Sequence, residues 1–128
     1  MTKIRGKKVI SDSPMVMDAG FLARNGNGKL KLKKGDYLII IGNINLKEIK
    51  ISGGAILEGE GIVAEKLKVK DYSMAFIKEA KEMKALSGGE IHVKENFNKF
   101  AKIRNADSSI FVGDYQLTKD DANKWSHK

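Results

Sequence analysis

The chain has no cysteine, one proline and only two histidines among its 128 residues. Disulfides and thiolate metal sites are thereby excluded. His92 and His127 are the only imidazoles, and His127 is next to the last residue. A zinc site within one chain is not expected, and no cofactor is. Aromatic residues make up 7% of the chain, which leaves little material for base stacking. No apolar run approaches the roughly 18 residues of a membrane helix. The longest, Tyr37-Leu38-Ile39-Ile40-Ile41, has strand length. The start of the chain carries no signal-peptide apolar region. These absences place the chain, as an expectation, in the reducing cytoplasm with no membrane span.

What is present suits a folded domain. Hydrophobic residues account for 41% and charged residues for 31%, both ordinary for globular proteins. A chain of this length buries roughly two thirds of its unfolded surface and needs no covalent staples. The net charge is +8, and it is unevenly spread. Residues 1–34 hold nine Lys/Arg and two Asp, whereas residues 35–128 hold fifteen Lys/Arg and fourteen Asp/Glu. The chain is therefore read as a basic N-terminal arm with a capping helix over residues 1–35, followed by a nearly neutral β-rich body over residues 36–128.

Within the first part, residues 3–8 (KIRGKK) form a basic arm. Ser13-Pro14 reads as an N-cap followed by a first-turn proline, predicting a helix from Met15 to about Arg24 that stops at Asn25-Gly26. Its apolar residues Met17, Phe21 and Leu22 suit a plug over the open end of a sheet. Lys29, Lys31 and Lys33 then alternate with Leu30 and Leu32, as in a strand with one wet face.

After Asp36 the texture changes to short β-prone stretches, residues 37–41, 44–46, 49–51, 56–57, 62–63, 67–69, 91–93 and 110–112. Glycines punctuate them at 42, 53, 54, 59, 61, 88, 89 and 113. Such spacing suits a parallel β-solenoid better than two-residue hairpins. INLKEIKI from Ile44 matches IVAEKLKV from Ile62, which would stack Ile44 over Ile62 and Ile49 over Leu67. AFIKEA from Ala75 and AKIRNA from Ala101 suggest a second repeat. Residues 73–87 read as an amphipathic helix capped by Ser73 and closed by Gly88, with two more solenoid strands as the other reading. Residues 118–126 read as a short terminal helix behind a capping box at Thr118. The expected fold is mainly β: a short parallel β-solenoid with an N-terminal capping helix and one or two further short helices. A single α+β domain is the alternative.

Residues 54–69 and 87–113 resemble the repeats of bactofilins and similar polymer-forming bacterial β-solenoids. Gly61, Ile62, Val63 and Ala64 through Leu67 and Val69 follow the glycine-apolar-alanine-apolar pattern of those repeats. Ile103, Ala106, Ile110 and Val112 follow it with one extra residue. Residues 1–36 and 70–86 have no counterpart. The resemblance implies a right-handed β-helix that self-associates and has no active site.

No residue pattern suggests catalysis. There is no cysteine nucleophile and no GxSxG. Asn25-Gly26-Asn27-Gly28-Lys29 lacks the P-loop spacing and reads as a hinge. Glu58, Glu60 and Glu65 read as a solvated face, and His92 as an outward residue on a strand. The chain is read as non-enzymatic. The feature furthest above background is the set Lys3, Arg5, Lys7, Lys8, Lys29, Lys31, Lys33 and Lys34, suited to phosphate groups or an acidic partner. No RNP-type aromatics, helix-turn-helix or zinc knuckle accompany it. Three functions follow as expectations. The first is a protein-interaction or scaffold module, with self-association included. The second is a basic nucleic-acid-associated protein. The third is a small phage-type effector that inhibits a host complex by binding it.

Overall fold

From Ile44 onward the apolar residues recur at alternating spacings of two and three: Ile44, Leu46, Ile49, Ile51, and again Ile62, Ala64, Leu67, Val69. A spacing of two keeps a strand's side chains on one face. A spacing of three adds one residue at a corner and lets the next strand point inward again. A chain written this way coils around an aliphatic interior. The computed structural model describes residues 15–94, 100–103, 108–113 and 115–117. It is a mainly β, parallel solenoid of about four turns.

The strands are β1 (Met15–Asp18), β2 (Lys29–Leu32), β3 (Tyr37–Ile41), β4 (Asn43–Ile51), β5 (Ile56–Val69), β6 (Met74–Ala85), β7 (Glu90–Val93), β8 (Phe100–Ile103), β9 (Ser109–Val112) and β10 (Tyr115–Gln116). Among the described residues the one helix is α1 (Ala19–Asn25). A full coil has three sides. Side A stacks β1, β3, the start of β5, the start of β6, β7 and β9, all parallel. Side B stacks residues 43–46 on 61–64 and 79–80. Side C stacks β2, the ends of β4, β5 and β6, and then β8. β10 closes the stack antiparallel on β9.

The register makes the interior a set of columns. Leu38, Leu57, Ala75, Ile91 and Ile110 align on side A. Leu30, Ile49, Leu67 and Met83 align on side C. All are buried. The expected pairs Ile44 over Ile62 and Ile49 over Leu67 are present as read from the repeat. The second suggested repeat is not: Ala75 pairs with Ile91 and Ala101 with Met83, so the two segments lie on different sides.

Residues 74–85 form a strand, not the expected helix. Both edges of this segment are paired, with β5 before it and β7 and β8 after it, and that pairing outweighs a helix-prone composition. Its coil is the tightest. β5 carries extra residues between Gly59 and Val63 that β6 omits at Ile77–Glu79. The small residues Ala75, Ala80 and Ala85 fill the narrower interior there.

The N-terminal segment also differs from its reading. Met15–Asp18 is strand β1, parallel to β3, with Val16 outward between Met15 and Met17. α1 starts at Ala19, where Asp18 accepts the Phe21 N–H at 3.0 Å as N-cap. It ends where expected, with the Gly26 N–H donating to Leu22 O. α1 takes the place of side B in the first coil and covers the end of the interior with Ala19 and Leu22, both buried against β4. Ser13, Pro14 and the terminal helix read over residues 118–126 lie outside the described residues.

Among the described residues, four passages from side C to side A of the next coil are tight turns with two consecutive residues at positive φ: Lys34/Gly35, Gly53/Gly54, Asp71/Tyr72 and Ser87/Gly88. That is the type I′ signature. Neighbouring turns bond to one another, Gly35 N–H to Gly53 O, Gly54 N–H to Asp71 O and Tyr72 N–H to Ser87 O. Directly after the turns comes a column of buried polar or small residues. Asp36 accepts the Lys33 N–H, Ser73 the Ala55 N–H and Ser108 the Gly88 N–H. Here a side chain satisfies a buried (Ala55) or part-buried (Lys33, Gly88) backbone donor.

Two stability experiments check this account. Gly54→Ala meets open space and carries only the left-handed strain at φ 75°, so it should cost about 1–2 kcal/mol. At Gly89 an added Cβ would lie 2.0 Å from Val69 O, and Gly89→Ala should lower the melting temperature much further. Ser73→Ala leaves the Ala55 N–H buried without its acceptor and should cost about 1–3 kcal/mol in denaturant titration.

Candidate anion-binding face

Outward residues obey the same register as inward ones. On side C, Lys31, Lys50, Lys68 and Lys84 fall in one column, one lysine per coil, and Lys102 continues the register on β8. Strands lie about 4.8 Å apart, so the positions from Lys31 to Lys102 span roughly 19 Å. The neighbouring column alternates in sign: Lys29, Glu48, Lys66, Glu82. On the other flank Lys33 and Lys70 lie next to the turns. Side C thus presents eight described lysines against two glutamates.

Few carboxylates engage this face. Lys50 Nζ lies 3.7 Å from Glu48 Oε1, with the lysine side chain 54% exposed. Among the described residues no carboxylate lies within ion-pair distance of Lys31, Lys68 or Lys84. Between the lysine stems runs a shallow depression of about 320 Å³ lined by Lys31, Lys33, Lys50, Lys68 and Lys70. Its floor is sheet, so it is a groove between flexible side chains and not an enclosed pocket. Like charges directly opposite one another on neighbouring strands are unfavourable. A ligand that supplies a line of negative charge relieves that cost.

Of the expected contact residues, the structure places Lys29 and Lys31 on this face in β2, Lys33 directly after it and Lys34 in the first turn. Lys3, Arg5, Lys7 and Lys8 lie outside the described residues. The sequence reading missed Lys50, Lys66, Lys68, Lys70 and Lys84. Their signal was the recurrence of lysine at 31, 50, 68, 84 and 102, which follows the coil length.

Side A is chemically unlike side C. Val16, Ile39, Glu58, Phe76, His92 and Phe111 form one outward column. The His92 ring stacks between Phe76 and Phe111 at centroid distances of 4.6 and 4.5 Å, offset-type contacts of about 0.5–1.5 kcal/mol each. His92 Nε2 lies 2.5 Å from Glu90 Oε1. His92 therefore faces outward as expected, and its partners are structural. The three carboxylates of the LEGEGIVAE segment do not act together. Glu58 accepts the Tyr37 O–H at 2.8 Å on side A, Glu60 pairs with Lys94 at 3.1 Å, and Glu65 lies beyond side B. No group of three metal-ligating side chains occurs among the described residues. No helix of the described residues is long and apolar enough to cross a membrane.

The Tyr37 phenol is held above its ordinary value of 10.0, first by its hydrogen bond to Glu58, then by desolvation and by the Glu58 charge. The contact therefore favours the folded state below the ordinary phenol range. Its contribution disappears as pH rises through the folded-state value. In a spectrophotometric titration Tyr37 should ionise above the ordinary phenol value, and Glu58→Gln should bring it down. An unchanged titration in that variant would disprove the assignment.

Comparison with family models, with curated proteins and with solved structures finds no match for this chain.

Proposed function

We propose that the protein is a non-enzymatic interaction module whose solenoid holds side C as a flat, rigid platform for an extended acidic partner. The observation that carries this reading is the lysine column Lys31, Lys50, Lys68, Lys84, continued in register by Lys102. Three physical points support it. The backbone beneath is bonded on both edges through β4, β5 and β6, so the charges are attached to positions that do not shift relative to one another. Lysine is a point charge on a flexible stem, which follows a charged line without demanding the bidentate geometry that arginine imposes. The alternating Lys29, Glu48, Lys66, Glu82 column beside it is largely self-compensating, so the excess charge is concentrated along one line.

The test separates a face from a net charge. K50E/K68E and K78E/K94E change the total charge equally, the first on side C and the second at the corner that follows side A. Both should keep the β-type circular dichroism spectrum. The side C variant should lose salt-resistant retention on immobilised heparin, whereas the other should elute close to the unaltered protein. Equal losses in the two variants would show that only net charge matters and would remove this reading.

A further inference from the structure

We infer that the partner on side C is double-stranded nucleic acid, gripped by its phosphate backbone without reading of the bases. This rests on the platform reading above and names its ligand. A folded acidic protein presents carboxylates at scattered points, interrupted by neutral residues. A duplex presents an unbroken series, one charge per roughly 3.4 Å of helix axis on each strand. The lysine column is also a series of like charges. Among the described side chains it runs roughly 14 Å without a change of sign, from Lys31 through Lys50 and Lys68 to Lys84, and a phosphate backbone is a polyanion that matches it throughout.

The rest of the face argues against base recognition. Among the described side chains on side C none is aromatic, and the face carries no asparagine, glutamine or arginine. Base stacking needs aromatic platforms, and base-edge readout relies on Arg, Asn and Gln in bidentate pairs. Phe100, paired in register with Glu82, stands in the last coil at the margin of the column. The aromatic side chains Phe76 and Phe111, and His92 between them, are on side A and committed to one another. What side C offers is positioning charge alone, which suits a duplex whose bases are already stacked and paired.

The experiment is fluorescence anisotropy of the full chain with a labelled mixed-sequence duplex of about 20 base pairs, the matching single strand, and polyglutamate, at 50 and 200 mM salt. With about four phosphates neutralised, duplex affinity should fall roughly a hundredfold between the two salts. It should not change with base composition. Each of K50Q, K68Q and K84Q should reduce the salt slope by about one, while their thermal melts stay near that of the unaltered chain. Tighter binding to the single strand, or equal binding to polyglutamate, would overturn the inference. Heparin retention without duplex binding would overturn it too and leave the platform reading standing. Failure to bind any polyanion at 50 mM salt would overturn both.

Discussion

Every column in this molecule, inside and out, descends from one constraint: successive coils stack as parallel strands in a register that the turns do not allow to slip. The turns set it with pairs of residues at positive φ, and they bond to one another from coil to coil. Once the register is set, each side chain acquires a fixed neighbour above and below. Inside, this lines up leucine, isoleucine and valine in buried columns, each side chain contributing about 1.5–3 kcal/mol. Outside, the same rule stacks His92 between two phenylalanines and sets lysine beside lysine. The inner columns decide the outcome, because cross-strand terms on the wet surface are smaller, about 0.2–1 kcal/mol each. The surface can therefore carry unfavourable pairs without losing the fold.

Much of this was legible. The eighteen-residue offset between residues 44–51 and 62–69 predicts the stacking that is observed, because that coil keeps its corners in phase. Residues 74–85 misled for a physical reason. Their apolar positions Ala75, Ile77, Ala80, Met83 and Ala85 are spaced two, three, three and two apart. A shortened corner produces that rhythm, and it approximates the helical period of 3.6. The alanine, lysine and glutamate content then added helix propensity. What the local pattern could not express is that two neighbouring coils bond to both edges of this segment. At Met15–Asp18 the same blindness applied, since the partner strand β3 is supplied from twenty-three residues further on.

The charged face was half legible. The sum over residues 35–128 is close to neutral, which suggested that basic character ends with the N-terminal quarter. Folding sorts those charges by side. Glu58 and Glu90 go to side A, Glu60 to the corner beyond it, Glu79 to side B and Glu65 just past it, while side C takes Lys50, Lys66, Lys68, Lys70 and Lys84 against Glu48 and Glu82. A linear tally averages over the three sides of each coil. A tally taken one residue per coil does not, and it is the coil length, not local composition, that carries the information.

The lysine column then has to be weighed as a cost. Two unit charges about 5 Å apart repel by about 0.8 kcal/mol in water, less once salt screens them, and the flexible stems of lysine reduce the figure further by letting the ammonium groups spread. Spreading along the column is blocked by the next lysine in each direction; spreading sideways leads to Glu48 on one flank and to Lys33 or Lys70 on the other. Some relief is therefore available from Glu48, the one carboxylate seen near Lys50. At Lys68 no carboxylate lies within ion-pair distance, and counterions from solution add to the relief. In the proposed complex, an anionic polymer laid along side C would replace those counterions all at once and release them to bulk, so that the crowding that weakly opposes folding would favour association. On the proposed reading, the repulsion and the affinity are one property of the register.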